Sequence, residues 1–531
     1  MTRNFHFAGR SPVYAKNAMA ASSHPFATYA ALEILKEGGN AADAAIAAAS
    51  VLSVVEPHMT GIGGDCFALI AKPDGTLHGI NASGRAAQNA SSEKLRMRGY
   101  TEITADSVEA ITVPGALRGW EKLSNDHGSM EFGRLLQRAI GYARDGFPVS
   151  SRTAWDWKRH HDLLLRNKVT RETYLIDERP PKSGEVMAFP ALANTLDTLA
   201  IKGVDAFYHG RIAEEIEELI QSAGGEITAN DLAQMQATDV LPITTEYKGL
   251  TVAELPPNGQ GIIALVMLEL MKRFDMSDLD PLGGERFHLE MEIAKLAYSS
   301  RDYFFADPDH MAFDAKKLLE TEYIDKLAER INRRSVLPRL SHQFLSPSSD
   351  TAYLSVVDKN GMAVSLINSL YQGFGSGFIT PHSGVLLHCR GACFSLEKGH
   401  PNELSGGKRP LHTIIPAMAL QNGVPALCFG VMGGGYQPCG HAHVLANLLE
   451  YGMDIQESID LPRMFIDEKT LALQAEEGIP LKTIEYLEGL GHTVNRVQVP
   501  LGGGQGILIN QDTCVLTGGS DPRKDGFALG Y

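Results

Sequence analysis

Thr351 stands where a small-polar stretch, Ser346-Pro347-Ser348-Ser349-Asp350, runs into an alternating one, Ala352 to Val357. A threonine hydroxyl inside a chain is a weak nucleophile, because its own nitrogen is an amide and not a base. If the chain is cut in front of it, the same residue gains an α-amine with an ordinary pKa near ~8. That amine can take the hydroxyl proton, directly or through water, which is how threonine–amine nucleophiles are activated. The hydroxyl can also make the cut: attack on the Asp350 carbonyl gives an ester, and water opens the ester. Read alone, the pattern leaves a second reading open, since a β-branched residue at the head of a strand is favoured there by shape alone.

Other chemistry-bearing residues narrow the field. Gly61-Ile62-Gly63-Gly64-Asp65 precedes a strand and is followed by no Lys-Ser/Thr, so it is not a phosphate loop. Cys389 and Cys393 lie close together, as do Cys439, His441 and His443, but neither group has the paired spacing of a zinc site. No metal and no organic cofactor are expected. There is no G-x-S-x-G elbow and no cysteine-nucleophile signature.

These residues need a scaffold, and the hydrophobic spacing supplies one. A short strand reads over Met19–Ser22, a helix over Ala27–Lys36 closed by Gly38-Gly39, and an Ala-rich buried helix over Asn40–Val54 ended by Pro57. A buried strand follows from Cys66 to Lys72. Helical spacing recurs over Phe132–Arg144, Pro190–Ile201, Ile212–Ala223 and Gly261–Arg273, and Asp231 reads as the cap of a short helix after Thr228. Residues 335–350 turn to Pro, Ser and Arg, an exposed loop. Beyond Thr351 strands dominate: Ala352–Val357, Met362–Ser369 and Gly384–His388, with a glycine turn at Gly373–Gly377. A second cluster, Gly433-Gly434-Gly435, sits between a strand and a helix. The change of texture at 351 marks a junction between subunits.

The bulk numbers agree with a soluble globular protein. The 531 residues are 44% hydrophobic and 21% charged, enough for a large core or several domains. The formal net charge is -15 with no basic run, which argues against nucleic acid and anionic membranes as partners. Six cysteines do not make a disulfide framework. The N-terminus has no signal-peptide pattern, and Ala41–Val55 is too short to span a bilayer. A cytoplasmic location is expected.

Taken together in order, the motifs resemble the γ-glutamyltransferase family of N-terminal-nucleophile hydrolases over nearly the whole length. They run from ASSHPFATYAALEILKEGGNAADAA at residue 21 through TVPGALRGW, ARDGFPV and AELPPNGQGI to the series His288, Glu292, Lys295, Tyr298, Arg301, Asp307-Pro308. TAYLSVVDKNGMAVS, FGSGF, GKRPLHTIIP, GVMGGG and the terminal GGSDPRKDGFALGY complete the set. The resemblance implies a four-layer αββα sandwich of the α+β class, its two antiparallel sheets built jointly by a large subunit, 1–350, and a small subunit, 351–531. It implies self-cleavage between Asp350 and Thr351 and a Thr351 nucleophile. Ser369 matches the hydroxyl that assists it, and Gly433 and Gly434 match the glycines whose N–H groups hold the oxyanion. The substrate is then a small-molecule amide, and a dimer of the two-chain units is expected.

Departures from the family pattern bear on the substrate. The arginine that grips a glutamate carboxylate is displaced to Arg85. Tyr371 replaces an asparagine, Ala392-Cys393 replaces an acidic pair, and His412-Thr413 replaces a serine pair. Arg85, Tyr371, His412 and Thr413 are the expected substrate contacts. Losing the acidic pair removes the partner of a substrate ammonium, and an unpaired buried charge is costly. The chain therefore resembles the amidohydrolase and acylase branch, which includes oxamate-hydrolysing enzymes. A genuine glutathione hydrolase or γ-glutamyl transpeptidase is the alternative.

Overall fold

The computed structural model describes residues 9–338, 350–467 and 470–531. Residues 339–349, most of the loop expected before the cut, lie outside them. Two seven-stranded sheets carry the fold. The first runs, in spatial order, Phe527–Gly530, Met19–Ser22, Asp350–Val357, Ala363–Tyr371, Asp65–Ala71, Leu77–Ala82, Thr238–Val240. The second runs Val13–Ala15, Leu516–Ser520, Gly503–Ile509, Val424–Met432, Ala417–Gln421, Leu250–Glu254, Ile243–Tyr247. Every neighbouring pair in both sheets is antiparallel.

The period-two alternation of a strand sorts side chains between layers. In Asp350–Val357, Tyr353 and Val357 point into the seam between the sheets, where Met19, Phe67 and Ile367 meet Leu255, Met418, Cys428, Met432 and Ile507. Leu354 and Val356 point the other way, into a helical layer that includes Pro25–Lys36 and Ala41–Val55. On the second sheet Leu427, Phe429 and Val431 face Gly261–Met271, Gly284–Phe304 and Gln437–Leu449. Helix, sheet, sheet, helix is the expected αββα order. Strands from before and after residue 351 interleave in both sheets, so neither stretch closes a sheet by itself.

Ala41–Val55 shows how sequence makes this possible. All fifteen of its residues are buried, which only small side chains allow at such close packing. Asn40 caps it, accepting from Ala42 and Asp43 N–H at 3.0 and 3.1 Å, while Asp43 accepts from the Asn40 N–H.

Three local expectations change. The helix expected over Phe132–Arg144 is two, Phe132–Leu135 and Gln137–Asp145. Leu136 keeps right-handed helical angles, so the path continues while the hydrogen-bond ladder breaks, and the Leu135 carbonyl receives Ser50 Oγ instead. Gly384–His388 is not a strand. Its backbone groups bond locally to Ser376, Phe378 and Thr380, and His388 N–H to Gly63, leaving a single bridge between Ile379 and Leu386. At Ala229–Ala233 the cap is Thr228, and Asp231 is the reciprocal partner three residues in.

Candidate active site

Thr351 sits in a bulge at the start of a central strand. Asp350 opposes Tyr371 and Ala352 opposes Asn368, so Thr351 alone faces both Ser369 and Leu370. A bulge of this kind re-aims a side chain. Thr351 Oγ1 lies 3.1 Å from Ser369 Oγ, and both residues are buried. Ser369 Oγ also accepts the Tyr371 N–H at 2.9 Å and lies 3.5 Å from Arg390 Nη2. The four residues 351, 369, 371 and 390 thus form one polar knot at the strand ends.

The second sheet delivers the glycine turn. Val424–Met432 ends in Gly433, with φ 126° and ψ 34°, and Gly434 follows at φ 58°. These are backbone angles that suit glycine. A Cβ on Gly433 would come 2.8 Å from Gly502 Cα, so a side chain has no room there either. Gln260 Nε2 holds the turn from below, donating to the carbonyls of Gly434 at 2.9 Å and Thr413 at 2.7 Å. Arg301 Nη1 donates to Gln260 Oε1 at 2.9 Å, and the Tyr298 hydroxyl donates to the Gly435 carbonyl.

Behind these residues lies a buried charge cluster. Asp65 Oδ1 accepts the Gly84 N–H, and Oδ2 lies 2.9 Å from His412 Nε2 and 3.4 Å from His388 Nδ1. Burial works against the Asp65 carboxylate, yet His388, His412 and nearby Arg390 together hold it below the usual range. Burial, reinforced by the Arg390 charge, pushes His412 down to about 3. His412 is therefore neutral at neutral pH and donates its Nε2 proton to an ionised Asp65.

The expected substrate contacts divide. Tyr371 lines a cavity of about 670 Å³, together with Gln372, Arg301, Cys393 and His400. Thr413 Oγ1 accepts from Arg390 Nη1 at 2.8 Å. His412 is buried against Asp65 and the Phe67 ring. Arg85 is 35% exposed and is not among the residues lining that cavity. Its guanidinium donates to Asp307 at 3.0 Å and to the Gly407 carbonyl at 2.9 Å, and lies 3.4 Å from Asp309.

Four site residues were given no role in the site by the sequence reading: Asp65, Gln260, His388 and Arg390. The first two lie inside motifs, GIGGD and PPNGQG. Arg390 was signalled by its setting, an isolated cation in the apolar run GVLLHCRGACF.

Away from this region, His288, Glu292 and His492 bring possible ligand atoms within 4.8 Å of one another. The donor set suits a metal, but the Lys295 ammonium already takes Glu292 Oε1 at 2.5 Å. A second cation there would be repelled, so the residues fit a metal poorly.

Paired antiparallel sheets between helical layers, with a buried threonine at a strand head, define the architecture of the N-terminal-nucleophile hydrolases. The gamma-glutamyltranspeptidase family model matches residues 27–531, and the chain belongs to that family. It is 34% identical to the glutathione hydrolase-like YwrD proenzyme of Bacillus subtilis over 96% of this chain and 98% of the relative. It is 35% identical to the oxamate amidohydrolase proenzyme of Klebsiella pneumoniae over 97% and 98%. Among solved structures it matches cephalosporin acylase from Bacillus halodurans with a TM-score of 0.93 and 36% identity, covering 100% of this chain and 99% of the other. The chain is accordingly an amide-bond hydrolase, made as a self-processing precursor. Among the described residues no helix is long and apolar enough to cross a membrane.

Proposed function

We propose that Thr351 is both the residue that cuts the precursor and the nucleophile of the mature enzyme. The observation that carries this is the 3.1 Å approach of Ser369 Oγ to Thr351 Oγ1 inside the bulge. In processing, Thr351 Oγ1 bonds to the Asp350 carbonyl carbon. The Asp350–Thr351 C–N bond breaks, and the nitrogen becomes the α-amine. Water then opens the ester, freeing the Asp350 carboxylate and the Thr351 hydroxyl.

In turnover the same hydroxyl attacks a substrate amide and its proton passes to the α-amine. The N–H groups of Gly433 and Gly434 receive the oxyanion, a role suited to donors fixed before the reaction. The amine leaves with a proton, and water releases the acid from the Thr351 ester.

The substrate reading favours a small acyl amide over a γ-glutamyl one. Ala392 and Cys393 line the cavity where an acidic pair would hold a substrate ammonium. Tyr371 and Thr413 fit as wall residues of the acyl pocket. His412, held neutral by burial, would orient Thr413 from behind, and Arg85 would reach a ligand only by leaving Asp307. One experiment tests the core of the proposal. Purified protein should separate into two fragments, the smaller beginning Thr-Ala-Tyr-Leu; an intact chain with full amidase activity would refute it.

A further inference from the structure

Arg390 is fully buried, yet among the described residues no carboxylate lies within ion-pair distance of it. Its contacts are neutral. Nη1 donates to Thr413 Oγ1 at 2.8 Å and lies 3.9 Å from Cys393 Sγ. Nη2 lies 3.5 Å from Ser369 Oγ, and Nε has no partner. The Tyr371 ring covers the guanidinium at 4.2 Å. The nearest acid of the cluster, Asp65, already accepts from Gly84 and His412. By contrast, the buried guanidinium of Arg463 meets Asp521 at 2.7 Å. Asp65 acts on the Arg390 guanidinium only from a distance, no carboxylate among the described residues touches it, and a buried arginine fork with an unpartnered Nε suits a carboxylate.

Position makes this more than a structural oddity. Ser369 Oγ touches both Thr351 Oγ1 and Arg390 Nη2, so the guanidinium stands two hydrogen-bond steps from the nucleophile. Tyr371 and Cys393, which flank Arg390, also line the cavity. Tyr371 is held at φ 78°, and its strand partner is Asp350. A cut between Asp350 and Thr351 turns that partner into a chain end.

Resting on the Thr351 reading, we infer that Arg390 is the anion receptor of the acyl pocket and that the substrates are monoamides of small dicarboxylic acids. The carboxylate sits on the Arg390 fork and the amide carbonyl lies at Thr351. A short acyl chain bridges the two. Arg85, already matched by Asp307 and Asp309, is not this receptor.

The test uses the mature two-fragment enzyme and paired probes: oxamate against oxamide, succinamate against succinamide, glutaramate against glutaramide. In at least one pair the acid should be hydrolysed with about 100-fold higher kcat/KM than the diamide, the scale of a buried charge pair made or lost. Arg390→Gln should lower kcat/KM for the acid far more than for the diamide and so erase that preference, and Arg85→Gln should keep it. Binding gives a second readout, needing no turnover. Oxalate or succinate should raise the Tm of wild type and not that of Arg390→Gln.

Equal use of acids and diamides by a cut, active enzyme, with no Tm shift from either anion, overturns the inference and leaves the nucleophile standing. An Arg390-dependent Tm shift in a protein that neither cuts itself nor hydrolyses amides supports the receptor and removes Thr351 from its role. A preference that survives Arg390→Gln but is lost in Arg85→Gln also overturns it.

Discussion

Ser369 Oγ lies 3.1 Å from Thr351 Oγ1 across a bulge in which one residue of the first strand faces two of the second. The register that pairs Ala352 with Asn368 carries Thr351 opposite Ser369, and the extra residue enters only beyond them, where Asp350 meets Tyr371. The contact supplies a polar neighbour to a buried threonine, and its loss should be felt in processing first. Thr351→Ala should remove both cleavage and turnover, and Thr351→Ser should keep part of each. Ser369→Ala should slow cleavage by about tenfold to hundredfold, the rate equivalent of one strong hydrogen bond. Timed gel analysis of fresh precursor reads all three, and unchanged cleavage in Ser369→Ala would remove that residue from the mechanism.

The glycine turn makes a second prediction. Gly433→Ala places a Cβ 2.8 Å from Gly502 Cα at a φ of 126°. The turn must shift, and the amide directions shift with it. We expect kcat to fall by about 10²- to 10³-fold, as for loss of an oxyanion donor. The cost in stability should be about 1–3 kcal/mol. Kinetics on the cleaved fraction, with Tm alongside, separate the two effects; wild-type kcat in this variant would exclude the turn from catalysis.

Gln260 joins the turn to Arg301 and to Thr413. Gln260→Ala removes the bonds to the Gly434 and Thr413 carbonyls and the one from Arg301 Nη1. Buried groups deprived of partners cost about 1–3 kcal/mol each. The variant should therefore show a lower Tm and a lower kcat, with Gln260→Glu recovering the Arg301 contact but not the two carbonyl bonds. A kcat unaffected by Gln260→Ala would mean that the turn is held without it.

Acid should loosen the first helix. His24 Nδ1 accepts the Phe26 N–H at the head of Pro25–Lys36, a role only an unprotonated nitrogen can play. Burial lowers its pKa to about 4, with His58 adding to the effect against the opposing charge of Asp525. Between about 4 and the unfolded value near ~6.5 the unfolded chain binds the extra proton, so stability falls as pH falls. His24→Asn keeps a capping acceptor and removes the titration. The Tm of wild type should drop more than that of His24→Asn between pH 7 and pH 4.5. Parallel curves would place the acid sensitivity elsewhere.

Much of the molecule was legible in the chain because it depends on local physics. Asn40, the alanines after it and Pro57 specify a buried helix by capping, size and termination. The alternation after Thr351 specifies a strand with two faces, and collinear motifs specify the family and its layered fold. The errors fell where hydrogen bonds, not periodicity, decide: at Leu136, whose ladder breaks without a bend, and at Gly384–His388, whose backbone turns on itself.

What the tertiary structure alone decided is who meets whom across long sequence distance. Arg85 looked available and is paired with Asp307, some two hundred residues on. Arg390, one arginine in an apolar run, turns out to stand beside Ser369, with no carboxylate in contact with it among the described residues. Charge compensation in a buried site depends on distances of a few ångströms between remote segments, and no spacing along the chain encodes them. By itself the sequence determined what kind of hydrolase this is; the packing decided which buried charge is left for a substrate to meet.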